Sequence, residues 1–309
     1  MSNSVNAPAT SERSGLIFAV ASYLLWGVLP LYFLALQPAS AFEVVAWRIL
    51  FCIIFCALLL TVTRTWPAFA GIVRRPKTVG LMGLGALCVV INWQVYIYGT
   101  LTGHVVETAL GYFINPIVTV LLGVIVLRER LRKAQWAAVG LSAVAVAVLA
   151  FNYGALPWIS LTLAVSFALY GLIKKRVGPT VDALSGLTLE TAWLIPVACV
   201  QLLIVSAGAG ITLGTVSTSH TLLLMASGVI TAVPLLLFAA ASRRLPLVYM
   251  GLVQYLTPVL QFIVGVFVLH EGMTPARWAG FAIVWAALIV LSVDLLVAGR
   301  RGRKAALVV

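Results

Sequence analysis

Long apolar stretches joined by short loops dominate this sequence of 309 residues. A helix that crosses the bilayer core needs roughly 20 apolar residues. The windows that reach this length, numbered here as spans 1–10, are about 15–36, 42–62, 79–99, 105–127, 135–151, 157–173, 184–206, 220–241, 247–269 and 275–297. The longest gap between them, 63–78, is a short basic loop. The sequence therefore predicts an all-α polytopic membrane protein with ten transmembrane helices.

Composition excludes the main soluble classes. Hydrophobic residues make up 62% and charged residues only 9% of the chain, whereas a soluble domain carries about 25% charged residues. The formal charge of +12 would suggest a nucleic-acid partner in a soluble protein. Here the charge resides in loops beside the bilayer, so we expect no nucleic acid. The cysteines and histidines lack metal-ligand spacing, so we expect no metal and no cofactor.

The Lys and Arg residues are distributed unevenly across the ten spans. Nearly all 20 of them lie on one side of the alternation. The largest clusters are Arg64, Arg74, Arg75 and Lys77; Arg128, Arg130, Arg132 and Lys133; Lys174, Lys175 and Arg176; Arg243 and Arg244; and Arg300, Arg301, Arg303 and Lys304. Basic loops stay in the cytoplasm, so we expect the tails 1–14 and 298–309 there. The apolar run of span 1 exceeds that of a signal peptide, which favours a retained helix in a bacterial-type inner (plasma) membrane.

Two segments of the chain repeat each other. Leu110–Trp136 aligns with Val253–Trp278 at an offset of 142. The matched pairs are Pro116 with Pro258, Gly123 with Gly265, Glu129 with Glu271 and Trp136 with Trp278. The basic residues that follow span 4 are almost absent from the second copy. This pattern predicts two homologous units, 15–151 and 157–297, joined by a linker at 152–156.

The loss of basic residues has a topological explanation. Each unit has five spans, an odd number, so the second unit enters the membrane upside down relative to the first. The loop after span 4 is then cytoplasmic and its copy after span 9 is external, where the positive-inside bias disfavours Lys and Arg. The sequence thus predicts two inverted five-helix repeats with an external linker.

Inverted repeats are typical of secondary transporters, whose sites lie at mid-membrane where corresponding helices are interrupted. Pro116 and Pro258 are predicted to break spans 4 and 9 at that depth. We therefore expect a permease that exports small metabolites or amphipathic compounds by alternating access, coupled to protons or to exchange. A channel or a non-transporting interaction protein is the alternative. A membrane enzyme is the least favoured reading, because no HExxH helix or paired carboxylates occur.

Ionisable residues within spans are costly and usually functional. Arg48 and Glu190 are repeat mates, but they differ in estimated depth by roughly 12 Å. Two roles stay open for Arg48: an outer charged pair with Glu107, or contact with an anionic substrate group. Glu190 is the candidate for proton coupling. The alternative is a structural carboxyl, bonded to a neighbouring helix or paired with Lys174 or Lys175.

Neutral polar and aromatic residues complete the predicted substrate site, which suits a small amphipathic molecule. The candidates are Trp26, Asn92, Trp93, Tyr112, Asn115, Gln254 and Tyr255. Spans 5 and 10 are interpreted as scaffold and as a candidate homodimer face, because span 5 is rich in small residues. The expected partners are therefore a small-molecule substrate, the lipid bilayer and a second copy of the chain.

Four sequence runs carry a family resemblance over 15–297. They are ETALGYFINPIVTVLLGVIVLRERLRKAQW, INWQVYIYG, WRIL and LETAWLIPVA. Together they resemble the RarD group, within the EamA-type branch of the drug/metabolite transporter superfamily. The resemblance implies an inner-membrane permease of ten helices built from two five-helix EamA repeats. The run LHEGM departs from the usual pattern of the branch, which bears on any shared role of Glu271.

Overall fold

The computed structural model describes residues 7–127, 131–153, 156–177, 180–242, 244–245, 250 and 253–306. Its elements are α1 (Ala7–Leu34), α2 (Ala41–Val62), α3 (Trp66–Val73), α4 (Pro76–Leu101), α5 (Val105–Leu127), α6 (Lys133–Tyr153), α7 (Trp158–Val177), α8 (Ala183–Ala207), α9 (Thr218–Ser242), α10 (Leu256–Ile263), a π-helical turn (Val264–Val268) and α11 (Pro275–Ala306). Several sequence-based assignments lie outside the described residues: Arg128, Glu129, Arg130, Arg243, positions 154–155, and the side chains of Lys175 and of the basic tail.

The described chain is helical throughout and contains no strand. Eight helices are long and apolar enough to cross a membrane, and they correspond to spans 1–5, 7, 8 and 10. Spans 6 and 9 appear as the shorter apolar helices Trp158–Lys174 and Leu256–Val268. The short helix α3 occupies the basic loop after span 2. The predicted class, an all-α polytopic membrane protein, is confirmed, and the described residues contain eight helices of full membrane length and two shorter apolar helices.

Equivalent helices of the two halves run in opposite directions. Along α6 and α11, Arg132 contacts Asp294 and Leu149 contacts Gly280. Residue numbers therefore rise along α6 as they fall along α11, so the two helices are antiparallel. The same holds for α2 and α8: the start of α2 contacts the loop after α8 through Glu43, and Cys56 near its end contacts Thr188 near the start of α8. Repeat mates that are antiparallel belong to inverted halves.

The pattern of helix neighbours has the same symmetry. The helix α5 packs on α7 as α10 packs on α1; α4 packs on α7 as α9 packs on α1; and α2 packs on α9 as α8 packs on α4. The mates α2 and α8, α5 and α10, and α6 and α11 also pack on each other. The largest buried cluster combines residues of both halves, including Phe33, Trp93, Tyr96, Leu163 and Leu194.

The two matched prolines have different effects. A turn at Gln254 and Tyr255 precedes α10, so Pro258 lies in the first helical turn, where its missing N–H removes no intrahelical bond. The break predicted at Pro116 is not present, because α5 runs unbroken through it. Neighbouring helices can hold a proline-containing membrane helix together. Here Asn115 donates to the carbonyl of Ala164 on α7 at 3.0 Å.

Close packing of α2 on α9 depends on Gly228. A methyl group at this position would collide with the backbone carbonyl of Phe51. Backbone atoms cannot rotate away as a flexible side chain can, so the two helices would have to separate. Gly140 on α6 offers a matched comparison, because nothing lies within 4 Å of the same added methyl group.

Gly228→Ala is therefore expected to destabilise the protein by at least about 1–3 kcal/mol, the usual cost of overpacking. Gly140→Ala should be neutral or slightly stabilising, since alanine is the better helix former. Thermal unfolding of the two purified variants in detergent measures the difference. Equal unfolding temperatures for both variants would contradict the close approach of α2 and α9.

Candidate functional site

Arg48 lies at the centre of the bundle, on α2, with only 5% of its surface exposed. Its Nε donates a hydrogen bond to the Thr231 hydroxyl on α9, at 2.6 Å. The guanidinium carbon lies 4.2 Å from the ring centroid of Trp93 on α4 and 5.6 Å from that of Phe33 on α1. Its Nη1 atom is buried and has no hydrogen-bond partner among the described residues. The protein thus holds a cation against aromatic faces with its buried Nη1 group unused as a donor.

A hydrogen-bond network adjoins the guanidinium. The Tyr112 hydroxyl on α5 donates to Asn92 Oδ1 on α4 at 3.0 Å. Asn92 Nδ2 in turn donates to the carbonyl of Leu163 and to the Ser166 hydroxyl on α7, both at 3.1 Å. Tyr112 also interacts electrostatically with Arg48. The network therefore joins helices of both halves, and Arg48, Trp93, Tyr112 and Asn92, four of the predicted site residues, lie in this region.

A second set of bonds ties α10 to this centre. Gln261 Nε2 donates to the Tyr96 hydroxyl at 3.0 Å and contacts the carbonyl of Trp26 at 3.3 Å. Tyr96 interacts electrostatically with Arg48 and stacks edge-on against Phe33. Trp26 is thus linked to the site through its backbone, while its ring packs against Tyr23 and Phe238.

Three predicted site residues lie away from Arg48. Asn115 has its amide committed to α7 and is buried. Gln254 and Tyr255 occupy the turn before α10 and are half-buried. Tyr255 packs in the cluster formed by α5, α6 and α11. These residues adjoin the interruption of span 9 rather than the cation.

The structure does not bring Arg48 and Glu107 together. Within the described ranges, the ion pairs are Arg132 with Asp294 and Lys174 with Glu190. The Glu107 carboxylate instead faces the backbone amides of Ile159 and Ser160, at the start of α7. The first N–H groups of a helix lack intrahelical acceptors, so they compete successfully for a nearby carboxylate.

Glu190 on α8 is 3% exposed on its side chain and has two partners on α7. Lys174 Nζ lies 3.0 Å from Oε1, and the Tyr170 hydroxyl donates to Oε2 at 3.1 Å. The Lys174 side chain is about a third exposed, at 34%, while its Nζ lies against the buried carboxylate. Of the two cations named as alternative partners of Glu190, Lys174 is the one that contacts it. Arg48, the repeat mate of Glu190, has no anionic partner among the described residues.

Two further carboxylates join the halves at the end where α2 and α5 begin. Glu271, after the π-helical turn, accepts from the N–H groups of Val105 at 2.6 Å and Val106 at 2.9 Å. Glu43 accepts from those of Thr212 at 2.7 Å and Leu213 at 3.2 Å. We call these contacts the carboxylate clamps. Each carboxylate belongs to one half and each pair of amides to the other.

Glu271 itself lies outside the membrane-spanning segments, just after span 9. Burial raises the pKa of the Glu271 carboxyl, and the amides of Val106 and Val105 oppose that rise by stabilising the ionised form. His104 favours ionisation as well, whereas the Glu107 charge disfavours it. The clamp carboxylate therefore depends on its two amide donors to remain an effective acceptor.

Sequence reasoning missed several of these residues. Thr231 carries no charge and follows no motif, so only the packing of α9 shows its contact. Glu43 had a signal: it stands three residues after Ser40, the capping-box spacing, and Ser40 does cap α2. Glu271 also had a signal, its match with Glu129 in the repeat.

Comparison with known proteins identifies the family. The model of the EamA-like transporter family matches residues 13–151. Protein RarD of Streptomyces exfoliatus is 46% identical over 292 residues, covering 94% of this chain and 92% of that protein. Protein RarD of Escherichia coli (strain K12) is 36% identical, covering 96% and 99%. The chain belongs to the RarD group of the EamA-like transporter family.

Other similarities agree with this family. An uncharacterised transporter of Bacillus subtilis (strain 168) is 38% identical over 91% of this chain and 94% of its own length. A solved crystal structure shares 18% identity and superposes with a TM-score of 0.58, covering 92% of this chain and 97% of the other. That structure supports the fold alone. As a RarD-type protein with many membrane-length helices, the chain is a multi-pass membrane transporter.

Lys174→Met is expected to destabilise this RarD-type protein, because it leaves the buried Glu190 carboxylate without its cation. Breaking a fully buried pair costs about 3–5 kcal/mol; with Lys174 partly solvated, we expect about 1–3 kcal/mol. The double variant Lys174→Met/Glu190→Gln should recover part of the loss. Unfolding temperatures in detergent test both. A single variant as stable as the wild type would show that the pair is not formed.

Proposed function

We propose that this RarD-type protein is a secondary-active exporter of small metabolites or amphipathic compounds that works by alternating access between its inverted halves. One observation carries the proposal: Arg48, a buried cation with an unused donor, lies where α1, α2 and α4 of the first half meet α9 of the second. A site between two packed halves becomes accessible from either side as the halves rock. Both termini are cytoplasmic in this proposal, as the basic loops favour.

The substrate is proposed to contact the groups around this cation. Trp93 and Tyr112 supply aromatic surface, and Asn92 supplies an amide whose oxygen and nitrogen already bond across helices. Trp26, Asn115, Gln254 and Tyr255 line the proposed pathway, beside the interruption of span 9. Few polar groups on a largely apolar wall suit an amphipathic ligand.

Glu190 is proposed as the coupling group. Its carboxylate is held by Lys174 and Tyr170 in the described structure. Because Lys174 is partly exposed, its ammonium can move toward solvent and leave the carboxylate free to bind a proton. A buried carboxyl without its cation favours the neutral form. Proton binding and release at Glu190 can thus accompany the change between the two access states.

The experiment that tests the function begins with metabolite profiling of cells with and without the gene. Compounds whose export changes are then followed in proteoliposomes under an imposed pH gradient. We expect saturable flux that the gradient accelerates. Glu190→Gln should abolish that acceleration and retain exchange of labelled against unlabelled substrate. Flux that does not saturate would indicate a channel, and unchanged coupling in Glu190→Gln would remove Glu190 from the mechanism.

The carboxylate clamps are proposed to close the outer end of the pathway. They lie at the end that the basic-loop pattern assigns to the outside, and each joins the two halves. Asp182 provides a matched comparison: it caps α8 by accepting from the N–H of Ser185 at 2.9 Å, within a single half. An amide side chain cannot accept two charge-assisted bonds as a carboxylate does.

Glu271→Gln and Glu43→Gln are therefore expected to favour the outward-open state. The reporter is Cys52, one helical turn from Arg48, with Cys56, Cys88 and Cys199 changed to Ser. A membrane-impermeant thiol reagent should label Cys52 several-fold faster from outside and more slowly from inside. Asp182→Asn should change neither rate. Faster labelling from both sides would mean general loosening, and unchanged rates would exclude a gate.

A further inference from the structure

The unused donor of Arg48 points to a ligand of defined charge. Arginine remains protonated in proteins, so the site carries a positive charge whenever it is empty. Burial of an uncompensated charge is unfavourable in a membrane-spanning segment. Within the described part of the chain, no carboxylate forms an ion pair with Arg48. An anionic ligand would supply the missing counter-charge and an acceptor for Nη1.

The hydroxyl protons around Arg48 are largely committed. Tyr32 donates to the carbonyl of Leu223 at 2.7 Å, Tyr112 donates to Asn92, and Thr231 donates to the carbonyl of Ser227 at 2.7 Å. The Tyr96 hydroxyl accepts from Gln261, and no hydrogen bond described here uses its proton. Arg48 Nη1 and the Tyr96 hydroxyl are thus the donors left over, and both suit an anion.

The walls of the site indicate the rest of the ligand. The rings of Phe33 and Trp93 lie against the guanidinium, and Tyr96 stacks edge-on with both Phe33 and Tyr112. Aromatic faces favour flat apolar groups. A planar guanidinium matches the two oxygens of a carboxylate. The ligand chemistry that satisfies both features is a flat ring bearing a single carboxylate.

We infer that Arg48 and Tyr96 recognise the anionic end of a small aromatic monocarboxylate, the substrate class of the central site. This inference rests on the proposed transport function, because the site must open for the ligand to enter. The aromatic body then lies among Phe33, Trp93 and Tyr112. The charge of Arg48 is compensated only while the anion is bound.

Benzoate and its neutral counterpart benzamide are the probes. Benzoate should raise the unfolding temperature of the purified protein saturably, and benzamide should bind at least tenfold more weakly. Arg48→Gln should weaken benzoate binding at least tenfold. Arg244→Gln is the matched control, because Arg244 also lies over an aromatic ring, Phe18 at 5.2 Å, but at the exposed end of the bundle. It should bind benzoate as the wild type does.

If Arg48→Gln does not fold, Arg48→Lys is the second variant. It keeps the positive charge but loses the planar guanidinium, and it should weaken benzoate binding several-fold. Wild-type protein that does not bind benzoate, equal binding of both probes, or unaffected binding in a folded Arg48 variant would overturn the inference. Flux separates it from the proposed function. Benzoate binding at Arg48 without benzoate flux would count against the proposed transport function. Saturable export of another compound, with no competition by benzoate, would exclude the carboxylate site and leave the transport function standing.

Discussion

The hydrocarbon core of a bilayer offers no water to hydrogen-bond the backbone, and this constraint shapes every part of the fold. Helices satisfy their own interior N–H and C=O groups, but their ends and interruptions do not. The protein meets that need by sending side chains from one half to the backbone of the other. Glu271 and Glu43 accept hydrogen bonds from backbone N–H groups of the opposite half. Asn115 and Ser22 donate to backbone carbonyls of helices in the opposite half. Cross-half bonding is thus the consequence of burying helix ends in a two-part bundle.

The same constraint explains how much the sequence could predict. Span lengths follow from bilayer thickness and inverted halves follow from an odd span count with one-sided charge, so both were accessible to pattern reasoning. Asn92 and Tyr112 were also predictable, since a polar residue deep in a span needs a partner. Thr231 was not, because a neutral side chain on a distant helix becomes a partner only through the packing angle. The alternative that pairs Arg48 with Glu107 is not found in the structure, because depth along a helix does not show which backbone amides lie nearby.

The two halves share an architecture but differ around their matched prolines, Pro116 and Pro258. The helix α5 runs unbroken through its proline, whereas in the second half a turn at Gln254 and Tyr255 precedes α10 and the π-helical turn. Asn115 stabilises the first arrangement by bonding to α7. In the second, Thr257 precedes Pro258 and its hydroxyl donates to the carbonyl of Tyr23 on α1 at 2.8 Å. Each proline is therefore supported by the residue before it, through a helix of the other half.

The repeat mates Arg48 and Glu190 show the most consequential difference. Glu190 is compensated by Lys174 from its own half, so its counter-ion does not come from across the boundary between the halves. The side-chain hydrogen bond described for Arg48 is donated to Thr231 on α9 of the opposite half, so the surroundings of Arg48 change as soon as the halves separate. A charge that is incompletely satisfied in the empty protein gains most from a bound counter-ion. In the proposed mechanism, ligand binding and relative movement of the halves therefore depend on the same side chain, as alternating access requires of a central site.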